Sequence, residues 1–379
     1  MDLKLQFHDA EKDIKIYAND FSMGENVTFG GKSRIVSPTV NIGDSAVFGV
    51  NTDIRASSIS IGEHTLFADG ARVLCPENFS IGAAGRVDRN SVIETRNCDI
   101  GDEFFFGEGS AIGFGGRFGR ASDLKIGNQV AVSSRNVLNT SAPITLGNRV
   151  GTSDDVYFLT HGLHHSHSVL LGYPLSYEPI VVDDNVWFGM RTLVMPGVHV
   201  GRNTIIASNS VVLRDLQSDI LAAGVPAVRK KDLRDTPAAE DQQIRMASDI
   251  MDRWIADLET KGSVTVHRET IEGGPDMRYE IGFDERTYSV VLCYALDAGR
   301  VPGTGDRQIA VTLNSGKLRE DEHSGLMLFD LTEKTASSDL DGVGEDLRDF
   351  LRRHSLACFN RRRFASLPPK EFAWLRLYD

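Results

Sequence analysis

The chain has 379 residues, with 41 basic against 53 acidic side chains, a net charge of -12 and 41% hydrophobic residues. It exceeds one ordinary domain, and its acidic balance argues against a nucleic-acid or membrane-surface role for the chain as a whole. Cys75, Cys98, Cys293 and Cys358 show no C-x-x-C spacing, so neither a zinc cluster nor a disulfide framework is signalled and a reduced, cytoplasmic setting is expected.

The first residues hold no apolar signal core, and no run reaches the roughly 18 apolar residues of a membrane span, so no membrane insertion is expected. Residues 1–22 are predicted to form an amino-terminal cap, because the end of a stack of strands needs cover. From Met23 the chain falls into a six-residue beat. It is unbroken at Val182, Phe188, Val194, Val200, Ile206 and Val212, and the position four residues after a beat is small or β-branched at Val186, Thr192, Val198, Thr204 and Ser210. Six matches neither the helical 3.6 nor the strand period of 2, so the chain must turn at regular intervals, as hexapeptide β-helix repeats do. Three hexads make one triangular coil.

Upstream triplets in the same phase include Ile42/Phe48/Ile54, Ile61/Phe67/Val73, Ile100/Phe106/Ile112, Ile126/Val132/Leu138 and Leu146/Thr152/Phe158. Coil starts fall mostly 18 to 20 residues apart, with two exceptions: 126 − 100 = 26 and 182 − 146 = 36. Many starts carry a glycine followed by Asp, Glu or Asn, as in Ile42-Gly43-Asp44 and Leu146-Gly147-Asn148. Such steps suit corners where φ can turn positive, and read as structural punctuation. Insertions are where function is expected.

The longer insertion is rooted at Thr160-His161-Gly162, passes His164, His165 and His167, and returns through Glu178-Pro179-Ile180. A single histidine beside a rigid coil suits general-base chemistry, since neutral imidazole accepts a proton near neutral pH. The four histidines could also suggest a metal-dependent hydrase, but a catalytic zinc needs ligands converging on stiff scaffolding, which one loop does not supply. No metal is expected. A non-catalytic scaffold is the remaining alternative.

Beyond the coils, residues 232–262 are predicted as a linker and a helix with Ile244, Ala247, Met251, Trp254 and Leu258 on one side. Residues 263–379 then read as an α+β domain, with strand-like runs at 264–266, 279–283, 288–294, 309–313 and 326–331 and a helix at 342–353. This pattern names no activity. The cluster Arg361-Arg362-Arg363 could meet a phosphate or an acidic substrate, although most charge runs are simply solvated.

Across residues 146–231, Thr160-His161, Pro179-Ile180, the run 183–189, Met195-Pro196-Gly197-Val198 and Gly224-Val225-Pro226-Ala227 succeed one another in an order that resembles hexapeptide-repeat acyltransferases, above all the maltose, galactoside and xenobiotic O-acetyltransferase group. The resemblance implies a left-handed parallel β-helix over 23–231 with a loop at 164–181. It also implies a homotrimer with each site between two subunits, and acetyl transfer from acetyl-coenzyme A to a small hydroxyl or amine acceptor, such as a sugar or nucleotide sugar. His161 would be the base, and Asp155 or its neighbour Asp154 would position the acceptor or the imidazole, with Tyr157 lining the cleft. Coenzyme contacts would come from Gly189, Ala207, Ser208, Pro226 and Ala227 along the groove, and from Arg214, Arg229, Lys230 and Lys231 at the nucleotide end. Trp187 and Pro196 would pack along the groove or within the coil, the coil being the favoured place for Trp187. The sequence departs from the family pattern at Met190, at Ala207-Ser208-Asn209, at Leu213-Arg214 and at Val228.

Overall fold

The computed structural model describes residues 3–113, 121–162, 169–173, 175–233, 237–271, 276–296, 306–314 and 325–370. It divides into two compact units, Met1–Asp235 and Thr236–Asp379. The first is a β-solenoid of parallel coils, and the second a smaller helix-and-sheet unit.

The six-residue beat becomes three interior ladders. On the first face Ile42, Ile61, Ile81, Ile100, Ile126, Leu146, Val182 and Val200 pair in register from coil to coil. On the second, Phe29, Phe48, Phe67, Val87, Phe106, Val132, Thr152, Phe188 and Ile206 do so. On the third run Ile35, Ile54, Val73, Ile93, Ile112, Leu138, Phe158, Val194 and Val212. These side chains are buried and form one continuous core. Like sits on like: the rings of Phe48 and Phe67 are stacked at 5.5 Å with parallel planes. The coils begin earlier than the sequence suggested. Strand Ile14–Ala18 already pairs in parallel with Arg34–Val36, so within residues 1–22 the covering strand is Lys4–Asp9, antiparallel to it.

The corner glycines have a different cause from the one expected. Positive φ falls two residues after each glycine, at Ser45, His64, Glu103, Gln129 and Arg149. The glycine itself is required because coils approach too closely for a side chain. A Cβ on Gly62 would lie 2.4 Å from the carbonyl carbon of Gly82, and one on Gly43 would lie 2.6 Å from Glu63 N. The polar residue after the glycine then caps the coil below. Asp44 Oδ1 accepts from Glu25 N at 2.8 Å, Asn128 Oδ1 from Asp102 N at 2.8 Å and Asn148 Oδ1 from Asn128 N at 2.9 Å. Each bond satisfies a corner N–H that the strand ladder cannot reach.

In the second unit, α1 (Glu240–Leu258) and α2 (Gly342–Arg353) share one core with a six-stranded sheet. Its strands run Val264–Thr270, Met277–Phe283, Arg286–Ala295, Arg307–Asn314, Leu326–Asp330 and Thr335–Ala336, with the third to fifth parallel and the outer pairs antiparallel. The apolar stripe of α1 packs into this unit, so the helix is part of its core rather than of a connecting segment. Trp254 is fully buried and donates to Asp346 Oδ2 at 3.1 Å, while Lys261 reaches Asp346 Oδ1 at 2.7 Å. Among the described residues no helix is long and apolar enough to cross a membrane.

The two kinds of glycine can be told apart. Gly62→Ala should cost about 1–3 kcal/mol through overpacking, whereas Gly113→Ala, whose added Cβ meets nothing within 4 Å, should change stability by less than about 0.5 kcal/mol. Equal urea midpoints for the two variants would contradict the close-approach account.

Candidate active site

His161 lies just past the third-face strand Tyr157–Leu159, at the start of the excursion. Its backbone pairs with Tyr177 as Gly162 pairs with Ser176, so a two-residue antiparallel ribbon returns the chain to the coil. Glu178 N donates to Thr160 O at 3.0 Å and closes the base of this ribbon. The Tyr177 ring lies near-parallel to the imidazole, with centroids 6.1 Å apart.

The coil beneath supplies the partner of His161. Asn139 pairs in register with Leu159, and its Oδ1 stands 2.9 Å from His161 Nδ1. The amide orientation follows from a second contact: Ser141 N, a donor only, points at the same Oδ1 at 3.2 Å. Thr160 Oγ1 donates best to the Asn139 carbonyl, at 2.6 Å, and accepts from Ala142 N at 2.9 Å. Thr160 Oγ1 also stands 3.2 Å from Oδ1, and Ser141 Oγ lies 3.4 Å from His161 Nδ1, both longer than the 2.9 Å contact between Nδ1 and Oδ1. An amide oxygen only accepts, so the shorter contact favours a proton on Nδ1 and the Nε2 lone pair as the basic one. Asn139, Ser141 and Thr160 are all buried, which holds the ring by groups that cannot relax into water.

Asp155 does not make this contact. It occupies the preceding corner with φ +60°, and its carboxylate is held by Arg135, with Nε to Oδ1 at 2.9 Å. Asp154 caps that corner by accepting from Ser133 Oγ at 2.5 Å and Ser134 N at 3.1 Å, the role Asp69 plays for Val50 N lower in the stack. The Ser133 hydroxyl, opposed by desolvation, and then Ser134 N–H and Arg135 keep the Asp154 carboxyl below the usual carboxylate range. These carboxylates are corner fittings. The residue that orients the imidazole was missed in the sequence, although two extra residues in the coil starting at Ile126, with polar Asn139-Thr140-Ser141 directly below the excursion, are a readable signal.

The expected coenzyme residues fall on both edges of the third face. Gly189, Ala207 and Ser208 share the Asp154–Asp155 edge. Gly189 is glycine because a Cβ would lie 2.5 Å from Ser208 N. The N–H groups of Gly189 and Ala207 are spent on Ile206 O and Ala222 O, at 2.8 and 2.9 Å, so these amides are not open to a ligand. Ser208 is exposed. Tyr157 pairs with Leu193, and Leu193 with Val211. Continuing that register sets Pro196 and the exposed Arg214 over Thr160, on the edge that carries His161. Ala227 N donates to Val211 O at 2.7 Å, which extends the same face by one rung, with exposed Pro226 beside it. Lys230 and Lys231 are exposed on the terminal strand Val228–Asp232, while Arg229 is paired with Asp232. Trp187 was expected inside the coil, but Phe188 fills the interior. Trp187 faces outward, 48% exposed, over Gly151, whose missing side chain makes room for the ring.

Comparison with known proteins fits this architecture. Residues 179–214 match the family described as bacterial transferase hexapeptide (six repeats). The matched stretch covers the last coils of the solenoid, which are similar to hexapeptide-repeat transferases. Galactoside O-acetyltransferase of Escherichia coli K12 is 26% identical over 118 residues, 31% of this chain and 58% of that protein. Galactoside O-acetyltransferase of Lactococcus lactis is 32% identical over 59 residues, 16% of this chain and 28% of that protein. A hexapeptide-repeat acetyltransferase from Vibrio cholerae, solved with acetyl-coenzyme A, is 27% identical with a TM-score of 0.31, over 35% of this chain and 70% of that one. The chain thus spans little more than half of the Escherichia coli relative and less of the other curated relative. No group of three or more His, Cys, Asp or Glu side chains able to hold a metal occurs among the described residues; His164, His165 and His167 lie outside them.

The tautomer is directly measurable. In the neutral imidazole, nitrogen-15 NMR should report Nδ1 protonated and Nε2 bare for His161, and Asn139→Leu should shift the balance toward Nε2–H. A dominant Nε2–H form in the unaltered protein would contradict the assignment.

Proposed function

We propose that this protein transfers an acetyl group from acetyl-coenzyme A to a hydroxyl of a carbohydrate-class acceptor, with His161 as general base. The observation that carries the reading is the Asn139–His161 contact, which leaves Nε2 as the proton acceptor. Hexapeptide-repeat relatives named galactoside O-acetyltransferases support the choice of donor and acceptor class.

Nε2 takes the acceptor hydroxyl proton as the oxygen attacks the thioester carbonyl carbon. The resulting imidazolium is stabilised by the Nδ1–H bond to Asn139 and then protonates the departing thiolate, so the C–S bond breaks as the ester C–O bond is completed. No covalent enzyme intermediate is needed. Arg214, Lys230 and Lys231 are exposed cations suited to the coenzyme phosphates. Gly189 and Ala207 line the coil without donating to the ligand, and Arg229 would first have to leave Asp232. These residues can hold the coenzyme only from the outer surface, which requires a second wall.

A neighbouring subunit provides that wall in this proposal. The outward positions of the first face are mostly polar, namely Asn41, Ser60, Ser80, Asp99, Lys125, Thr145 and His199, with Val181 apolar. Those of the second face are mostly apolar: Val47, Leu66, Phe105, Ala131, Trp187 and Ile205. An apolar row of this length on the outside of a solenoid supports an interface there, and the proposed assembly is a homotrimer with sites between subunits. The coil edges that carry His161 and Arg214 would then face the adjoining copy.

His161→Ala should lower acceptor-dependent thiol release by about 10²- to 10⁴-fold, and Asn139→Ala should lower kcat by less while leaving KM for acetyl-coenzyme A nearly unchanged. Turnover by His161→Ala at the unaltered rate would remove the base from the mechanism. Trp187→Arg should shift the mass measured by light scattering from trimer to monomer and abolish turnover, and a fully active monomer would refute the shared site.

A further inference from the structure

The six-stranded sheet of the second unit begins on an edge strand that is suited to pairing. A strand at the end of a sheet leaves alternate N–H and C=O groups without a ladder partner, and proteins blunt such edges with short strands, bulges, proline or lysine. Other edge strands of this chain carry those devices. The cap strand Lys4–Asp9 shifts register between Leu5 and Phe7. The strand Val228–Asp232 carries Arg229, Lys230 and Lys231, and Thr335–Ala336, at the far end of the six-stranded sheet, is two residues long. Val264–Thr270 is different. Its seven residues, Val-Thr-Val-His-Arg-Glu-Thr, include no proline or lysine and pair without a bulge to Met277–Phe283, their one strand partner among the described residues.

The hydrogen bonds at its two ends fix which groups point outward. Asp284 N donates to Ser263 O at 3.0 Å, and Ile271 N donates to Asp276 O at 2.9 Å. Bonded residues alternate in an antiparallel ladder, so Thr265, His267 and Glu269 turn their backbone groups toward Met277–Phe283. Val264, Val266, Arg268 and Thr270 turn theirs to the open edge. Every residue from Thr265 to Thr270 is exposed, Val266 by 48%, so the strand is open on both faces as well.

Charge and register select the occupant. The one cation and one anion of the strand are matched within the unit, Arg268 to Asp252 at 2.5 Å and Glu269 to Arg278 at 3.3 Å, so the edge presents no net charge to an identical strand. Antiparallel pairing about a two-fold axis at His267 opposes all seven residues and joins the outward set to itself. Val264 then meets Thr270 and Val266 meets Arg268 as bonded pairs, while Thr265 meets Glu269 and His267 meets its own copy between them. Neither Arg nor Glu stands opposite its like. Centring the axis on Arg268 would set two guanidinium groups face to face, which opposes pairing, and centring it on Val266 would leave Glu269 and Thr270 beyond the end of the copy's strand. Val and Thr at four of the seven positions favour the extended backbone that pairing requires.

We propose that Val264–Thr270 is a homotypic docking edge, which pairs antiparallel with the same strand of a second copy so that two six-stranded sheets become one. A single pair of strands buries less than the about 1,000 Å² of a stable complex, so the contact forms at high protein concentration and dissociates on dilution. It is independent of the proposed acetyl transfer and of the outer row of the solenoid, and it gives the second unit the role of connecting copies.

Covalent trapping in the full chain reads the register directly. In a non-hydrogen-bonded pair the Cα atoms stand about 4.5 Å apart, within the roughly 4.4–6.8 Å that a disulfide spans, and the four native cysteines are buried. Concentrated His267→Cys under mild oxidation should therefore yield a disulfide-linked dimer on a non-reducing gel. Thr265→Cys alone and Glu269→Cys alone should yield at least about tenfold less, because each lies roughly 14 Å from its own copy in this register, beyond disulfide reach. An equimolar mixture of those two variants should link. Val266→Pro, which removes an outward N–H and no bond to Met277–Phe283, should lower linking by His267→Cys at least about tenfold, with an unchanged far-ultraviolet circular dichroism spectrum as the sign of an intact fold. Should the proline variant not fold, Val266→Lys, which sets a lysine opposite Arg268 of the copy, should lower linking severalfold. No linked dimer from His267→Cys, equal linking by all three single-cysteine variants, no linking in the mixture, or linking unchanged by the Val266 substitutions would each overturn the proposal.

Discussion

Close approach of successive coils is the constraint on which the solenoid depends. Strands of one face lie about 4.8 Å apart, so every corner must pass over its neighbour with almost no room. That single distance dictates glycine at the crossing, a polar cap one residue later and a left-handed residue one further on. It also dictates the interior. Where like sits above like at strand spacing, as at Phe29, Phe48 and Phe67, the rings stack without voids, although Val87 between Phe67 and Phe106 shows that size changes along a ladder are also accommodated. The beat in the sequence is the one-dimensional shadow of this stacking.

The candidate site uses the same rigidity. A loop alone would hold a histidine loosely, but His161 is fixed from below by an asparagine whose backbone is part of a strand ladder. Three buried polar residues in successive corners, Asn139, Ser141 and Thr160, replace what would otherwise be apolar filling. They cost desolvation, and each is offset by hydrogen bonds to backbone or to another member of the group. The outcome is one defined tautomer. A carboxylate at the same place would stabilise the imidazolium more strongly. A neutral amide orients the ring with weaker stabilisation of the imidazolium, which in the proposed mechanism leaves its proton available to the leaving thiolate.

The fold was legible in the sequence because period, glycine steps and insertion lengths are all consequences of stacking. In the second unit, the helix at Gly342–Arg353 and most strand centres were readable from apolar spacing. The place of the proposed base was legible too, since the excursion marks the position of His161. Its partner was not. Asp154-Asp155 lies close to His161 in sequence and bears charge, whereas Asn139 is 22 residues away and reaches the ring only because one coil step separates them in space. Linear nearness misleads in a solenoid: residues about one coil length apart are the true neighbours. The outward turn of Trp187 obeys the same logic, because a beat residue faces in and the one before it must face out.

A solenoid also limits what one chain can do alone. Among the described residues its interior is filled by the three ladders; its flat faces and edges are convex or planar, and small-molecule sites need concavity. In the proposed assembly, concavity is made by adding a second copy beside the edge that carries His161 and Arg214. The mostly apolar outer row of the second face is the side proposed to meet that copy, and the mostly polar outer row of the first face the side proposed to meet water. If the second face packs on an adjoining copy, the third face and its two edges are brought against that copy's surface, and the groove forms only in the assembly. In the proposed assembly, oligomer formation becomes a condition of activity, because the residues proposed to grip a coenzyme are exposed in the single chain and would gain an opposing wall only on association.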